Sequence, residues 1–388
     1  MTKSSPYGEA SIATLEIQSA KLLAEFESFG ARRIEPAIVQ PAGAFLDRMG
    51  EDLRKRTYVF TGPDGSEFCL RPDLTIPAAQ YYLAAVPACD RSMKLCYAGP
   101  VFRHDPASPE TPGQSLQAGV ECFNSATTAP ADVEVLLLTH KALESAGLKS
   151  AMITLGDAGL LRALLEAQGL PVHWIAKIRR HAWHRERLHA LLQRLTSGVA
   201  VDNQFMASLK DHPPERARQV LREALDLGGI KIIGTRSFEE IADRFIERAS
   251  EAASARLTQQ AAQLIEKFLS LRSSADKAVT SLNELSRGAS ITLAKPLADL
   301  SERLTLLEKA GLDLKKLEFA SQFGRNMEYY TGFVFEFRAA AATDPVAGGG
   351  RYDDLLTSLG APRRTPSIGL AVFCDRLATA IARQAGAA

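Results

Sequence analysis

Apolar residues near the start of the chain recur at helical spacing. Ile12, Leu15, Ile17, Leu22, Leu23, Phe26 and Phe29 predict an amphipathic helix over 11–29, stopped by Gly30. A short strand over 33–39 is expected next, interrupted by Pro36. Strand-like runs at 58–61 and 68–70 flank Gly62-Pro63-Asp64-Gly65, a strong hairpin signal. Asp73 can cap a helix running to Ala85. Strands are expected at 93–97, 101–104 and 115–123, a helix at 132–146, a strand at 152–155 and a helix at 158–168. Beyond Pro171 the texture changes. Strand signals nearly vanish up to Leu312, and helical patterns such as 238–249 and 257–271 dominate. Strand signals return at 317–321, 332–338 and 367–374. This predicts an α+β fold, in which a mixed domain (1–170 and 313–388) is interrupted by a helical insertion (171–312).

Composition narrows the class. Apolar residues make up 46% of the 388, and charged residues 23%, which suits a globular chain that buries its own core. A net charge of +1 gives no global attraction to nucleic acid or anionic lipid. The five cysteines (69, 89, 96, 122 and 374) form no CxxC pair and are odd in number. Reduced, buried thiols in a cytoplasmic protein are therefore expected, with neither a disulfide framework nor a zinc ribbon. The N-terminus has no apolar secretory core, and no apolar run reaches the ~20 residues of a membrane helix.

Four segments carry the candidate chemistry. They are Leu70-Arg71-Pro72-Asp73-Leu74-Thr75, then Phe102-Arg103-His104-Asp105 with Gln117-Ala118-Gly119-Val120-Glu121. Arg325-Asn326-Met327-Glu328-Tyr329-Tyr330-Thr331-Gly332 follows, and lastly Gly348-Gly349-Gly350-Arg351-Tyr352-Asp353 with the stretch from Gly369 to Leu377. In a strand, Gln117, Gly119 and Glu121 share one face, where Gln and Glu can bind a polar ligand or simply meet water. Arg103 can hold an anion or pair with a carboxylate. The glycine triplet allows close backbone approach or a turn, and it fits neither the dinucleotide nor the P-loop spacing.

In this order the segments resemble the histidyl-tRNA synthetase family of class II synthetases. The counterparts are LRPEGT, FRHE with QFGVE, RGLDYYTG, GGGRYD and GFALGLERL, and the resemblance covers roughly residues 8–170 and 313–388. It implies an antiparallel sheet flanked by helices, usually dimeric. It further implies a histidine pocket. Glu121 and Tyr330 would hold the imidazole, and Asp73, Thr75 and Gln117 the α-amino group, with Tyr329 and Arg325 beside them. Arg103 and Arg376 would match the family's anion-binding arginines.

The sequence also departs from that family. Asp73 stands where the family has Glu, Asn326 replaces a glycine, and Phe373 sits where the family keeps a glycine beside the nucleotide. The segment 106–113 has no Lys or Arg, where the family's loop is basic. Twelve residues follow Arg376, fewer than the ~50 of a small domain, so no anticodon-binding domain is expected. A synthetase-like body of this kind is similar to the regulatory subunits of ATP phosphoribosyltransferase. That resemblance implies a non-catalytic role in histidine biosynthesis and a short-form catalytic subunit as partner. It also implies L-histidine as feedback effector and a homodimer within a hetero-oligomer, with no cofactor, metal or membrane and no nucleic acid. The alternative it leaves is an ATP-dependent histidine-activating ligase.

One further feature stands apart. Lys177, Arg179, Arg180, Arg185, Arg187 and Arg194 interleave with Trp174, Trp183, His181, His184 and His189. A solvated helical face, a partner-facing helix and a nucleic-acid surface all fit this pattern. The histidines lack the companions that would complete a metal site.

Overall fold

The computed structural model describes residues 12–46, 54–105, 113–125, 129–197, 212–228, 238–239, 241–243, 245–246, 256–322, 329–340, 342 and 344–386. The chain forms two compact units, one of Met1–Ala167 with Phe268–Ala388 and the other of Gln168–Lys267.

The larger unit is built on a nine-stranded sheet in the order β1-β5-β6-β12-β11-β10-β7-β9-β8. Its strands are β1 (Arg32–Arg33), β5 (Met93–Phe102), β6 (Gln114–Phe123), β7 (Met152–Asp157), β8 (Arg272–Ser274), β9 (Glu318–Ala320), β10 (Phe333–Arg338), β11 (Ala347–Arg351) and β12 (Ser367–Phe373). The centre is antiparallel, but β1 runs parallel to β5 and β7 parallel to β9. The sheet is thus mixed rather than wholly antiparallel. A second sheet, β2-β4-β3, holds β2 (Val39–Pro41), β3 (Val59–Thr61) and β4 (Glu67–Leu70), with the Gly62–Gly65 turn joining its hairpin.

Flanking helices are α1 (Ile12–Ser28), α2 (Gly43–Leu46), α3 (Thr75–Ala85), α4 (Ala129–Ala146) and α5 (Ala158–Ala167). The smaller unit holds α6 (Val172–His181), α7 (Arg185–Ser197) and α8 (Pro214–Leu227), and α9 (Gln259–Ser270) leads out of it. Then come α10 (Ala275–Gly288), α11 (Ala294–Lys309), α12 (Leu355–Ser358) and α13 (Cys374–Gly386). The helix expected over 238–249 is helical where described, and Phe238, Ala242 and Ile246 pack with Ala217 and Leu221 of α8.

Local differences from the sequence pattern have physical causes. The strand expected over 33–39 divides at Pro36 into β1 and β2, which join different sheets. The strands expected at 93–97 and 101–104 are one, because Pro100 lies where its missing N–H faces away from β6. The Pro100 carbonyl accepts from Arg71 Nε at 2.8 Å and Phe102 N donates to Arg71 O at 3.0 Å. In α1 the buried stripe is Leu15, Gln18, Ser19, Leu22, Leu23 and Phe26, leaving Ile12 and Ile17 in solvent. The glycine triplet lies in β11, a fully buried strand.

The boundary of the helical region also moves. Residues expected within an insertion ending at 312 belong from Phe268 onward to the larger unit. Strand β8 extends the sheet, and Arg303 of α11 bonds Asp132 of α4 at 2.7 Å and Asp157 of β7 at 3.0 Å. Asp132, fully buried, also pairs with Arg351 at 2.6 Å. Removing one member of a buried ion cluster strands its partners. Asp132→Ala is expected to cost about 3–5 kcal/mol, measured as a lower urea midpoint with an unchanged m-value.

Candidate histidine-binding site

Strand alternation and register define the site. Glu121 of β6 lies opposite Leu95 and Gly369, Gly119 opposite Tyr97 and Ala371, and Gln117 opposite Gly99 and Phe373. One strand further, Gly350 opposes Gly369 and Gly348 opposes Ala371. Paired residues share a face. The floor beside Glu121 is therefore made of Gly119, Gly348, Gly350, Gly369 and Ala371, which carry at most a methyl group.

The floor is bare because the walls lean over it. A Cβ on Gly369 would collide with Glu121 Oε2, and one on Gly119 would lie 2.7 Å from the Tyr97 hydroxyl. A Cβ on Gly350 would lie 2.9 Å from Tyr330 Cε1. No positive φ is involved at these glycines, so close approach is what selects them.

Glu121 is 1% exposed. Its Oε1 accepts from the Tyr97 hydroxyl at 2.7 Å, and its Oε2 accepts from the Tyr352 hydroxyl. Burial raises its pKa from the ordinary 4.5 to about 7, against the lowering effect of hydrogen bonds from Tyr352, Tyr97 and Thr75. The charge of Asp73 raises it further. Both tyrosines are pushed well above their usual value, first by burial and then by the Glu121 charge. Asp73 is buried, and its Oδ1 accepts from Ile76 N at 3.2 Å at the start of α3. Tyr329 packs on Tyr330 and Tyr352, with ring centroids 4.9 and 5.7 Å apart.

Asp73, Thr75, Glu121, Tyr329 and Tyr330 thus converge on one region of the sheet. Gln117 lies on the same face further along β6. It is 3% exposed, and its Oε1 has no hydrogen-bond partner among the described residues. Arg325 lies outside the described residues. Arg103 Nε donates to Pro72 O at 2.7 Å. Arg376 stacks over Phe373 at 4.3 Å and donates to Pro345 O at 3.1 Å. Both arginines therefore brace this chain's own backbone. The segment 106–112 also lies outside the described residues.

Sequence reasoning missed Tyr97, and placed Arg71 and Tyr352 in candidate segments without giving either a role. Tyr97 is found by period two once β5 is paired in register with β6. Tyr352 stands two residues beyond Gly350 and so shares its face. Arg71 is 3% exposed and lies over Gly99, donating to Pro36 O and Pro100 O.

Elsewhere, all five cysteines are buried and free. His189 pairs with Glu266 at 2.7 Å and Gln193 at 2.8 Å. Among the described residues no group of three His, Cys, Asp or Glu side chains could hold a metal ion, and no helix is long and apolar enough to cross a membrane.

The pocket generates a pH dependence. Glu121 holds its proton more tightly folded than unfolded, so its contribution to stability is complete below the ordinary 4.5 and is lost as pH rises through about 7. Urea unfolding of the ligand-free chain at pH 5 and pH 8 is expected to show lower stability at the higher pH. Glu121→Gln is expected to flatten that difference. Gly369→Ala is expected to displace Glu121, lowering the melting temperature by several degrees for about 1–3 kcal/mol of overpacking.

The chain matches the histidyl-tRNA synthetase family over residues 7–231 and 235–377. Its curated relatives include the ATP phosphoribosyltransferase regulatory subunit of Mesorhizobium japonicum, 34% identical over 364 residues, covering 92% of this chain and 96% of the relative. That of Chelativorans sp. is 35% identical over 367 residues, covering 93% and 96%. A solved structure from Bacillus halodurans C, described as an ATP phosphoribosyltransferase regulatory subunit/histidyl-tRNA synthetase, is 21% identical with a TM-score of 0.66. It covers 95% of this chain and 79% of its own. A histidine–tRNA ligase subunit from Alicyclobacillus acidocaldarius has a TM-score of 0.61 at 22% identity, covering 100% and 98%. The two structures establish the class II synthetase-like fold, and the sequence relatives establish the branch. This chain belongs to the family of ATP phosphoribosyltransferase regulatory subunits.

Proposed function

We propose that this regulatory subunit is the histidine sensor of an ATP phosphoribosyltransferase complex, with its partner supplying the catalytic residues. The observation that carries the reading is Glu121, buried on a glycine floor. The strongest influences on its charge are burial, three hydroxyls and a second carboxylate. Such a pocket favours a ligand rich in N–H donors. Imidazole presents one donor and one acceptor when neutral and two donors when charged. Glu121 accepts from it, and the hydroxyl of Tyr330 serves either polarity. The ammonium group requires acceptors, and Asp73, Thr75 and the buried Gln117 Oε1 supply oxygen.

Feedback requires that histidine bind the inhibited form of the complex more tightly than the active form. A homodimer within the hetero-oligomer belongs to the same reading. Apolar surface for such contacts exists on the small sheet, where Val39, Val59 and Phe60 are 42–47% exposed.

The test mixes the purified chain with a short-form ATP phosphoribosyltransferase catalytic subunit and follows phosphoribosyl-ATP formation. Activity is expected only in the mixture, falling as histidine is added. Glu121→Gln is expected to raise the half-inhibitory histidine concentration at least tenfold, about 1.4 kcal/mol, with activation retained. Unchanged inhibition in that variant would remove this pocket as the sensor. Histidine-dependent pyrophosphate exchange into ATP by the chain alone would establish the ligase alternative instead.

A further inference from the structure

Behind the pocket, on the opposite face of the sheet, runs a line of charges that is buried except at its last member, Arg364. Asp157 Oδ2 accepts from Arg303 Nη1 at 3.0 Å, and Asp132 Oδ2 accepts from Arg303 Nε at 2.7 Å. Asp132 Oδ1 accepts from Arg351 Nε at 2.8 Å. Arg351 Nη1 donates to Asp353 Oδ1 at 3.0 Å, and Asp353 Oδ2 accepts from Arg364 Nη2 at 3.2 Å. Arg303, Asp132 and Arg351 are at most 4% exposed. The line joins four separate parts of the larger unit, namely helix α11, the end of strand β7, helix α4 and the end of strand β11.

Its far end is interleaved with the pocket wall. Tyr352 stands between Arg351 and Asp353, which are both members of the line. Thr331 N donates to Arg351 O at 2.8 Å, and Asp353 N donates to Thr331 Oγ1 at 3.0 Å. Thr331 follows Tyr330 directly. The next carbonyl, of Gly332, accepts from Ala158 N at 2.9 Å, beside Asp157. Tyr330 and Tyr352 are therefore fixed by backbone whose neighbours answer to Arg303 and its carboxylates.

A buried ion chain of this kind adds little stability over well-packed apolar groups of the same volume. What it does supply is direction, because guanidinium–carboxylate bonds are planar and fixed in angle. We propose that Arg303 is a positioning residue for the pocket: through Asp132 and Arg351 it sets the placement of Tyr352 and Tyr330. Helix α11 is then mechanically connected to the ligand site without touching it. The proposal deepens the histidine-sensor reading and rests on it for the ligand.

The test uses the full chain labelled with 3-fluorotyrosine, its resonances assigned with Tyr330→Phe and Tyr352→Phe. In ligand-free protein, Arg303→Met is expected to shift the signals of Tyr352 and Tyr330 and to leave that of the exposed Tyr81 in place. Calorimetric titration with L-histidine is expected to show at least tenfold weaker binding, partly restored in Arg303→Lys. Leu297→Ala, which opens a cavity nearly two turns of α11 away from Arg303, controls for simple destabilisation and is expected to change neither readout. Unmoved Tyr352 and Tyr330 signals in folded Arg303→Met, or the same shifts in Leu297→Ala, would overturn the proposal. If Arg303→Met does not fold, Asp157→Asn replaces it. A smaller shift at the same two tyrosines supports the proposal, and no shift overturns it. If the unmodified chain fails to bind histidine, the sensor reading falls, and the tyrosine signals alone decide the positioning role.

Discussion

A carboxylate in the middle of a sheet face is expensive to bury, and much of the larger unit is arranged around that cost. Glu121 stands on β6, where water cannot reach it. Its two oxygens are met by hydroxyls from β5 and from the residue just beyond β11. The Tyr97 hydroxyl lies over Gly119 and the carboxylate itself over Gly369, so those two bare positions follow from the same constraint. Burial nevertheless wins against the hydroxyls, and the group holds its proton to about pH 7.

The two faces of the sheet treat charge in opposite ways. On the pocket face, carboxylates lie close together and repel, as Asp73 and Glu121 do. On the helical face, every carboxylate of the Asp157–Asp132–Asp353 series meets a guanidinium. Strand alternation puts one arrangement directly behind the other, since Arg351 and Tyr352 are consecutive. The Asp157–Asp132–Asp353 series is internally paired, whereas on the pocket face Glu121 and Asp73 meet hydroxyls and each other's charge.

Much of this was legible in the sequence, for reasons that can be named. The Gly62–Gly65 turn, the apolar stripe of α1 and the β6 alternation are local patterns, and local patterns survive into the fold. The segments bearing Asp73, Glu121 and Tyr330 are recognisable through their resemblance to a family, and the fold brings Asp73 within reach of the Glu121 charge and Tyr330 over the neighbouring Gly350. What escaped depends on pairing between distant strands. Tyr97 becomes a pocket residue only through its register opposite Gly119. The strands expected at 93–97 and 101–104 run on as one because Pro100 faces away from β6, a geometry that one strand does not reveal. The allegiance of α11 was hidden because Arg303 finds its carboxylates 171 and 146 residues away.

Arg71 carries an implication of its own. Its guanidinium spans from Pro36 O to Pro100 O, with Nε on the latter at 2.8 Å, and so clasps two proline-interrupted stretches of backbone. Proline removes the amide that would otherwise tie such a stretch to a neighbour. One charged side chain takes over the stitching that ladder amides perform elsewhere in the sheet. Along this part of β5, beyond the two residues of β1, the Pro100 carbonyl and the Phe102 amide that a further strand would need are already taken by Arg71.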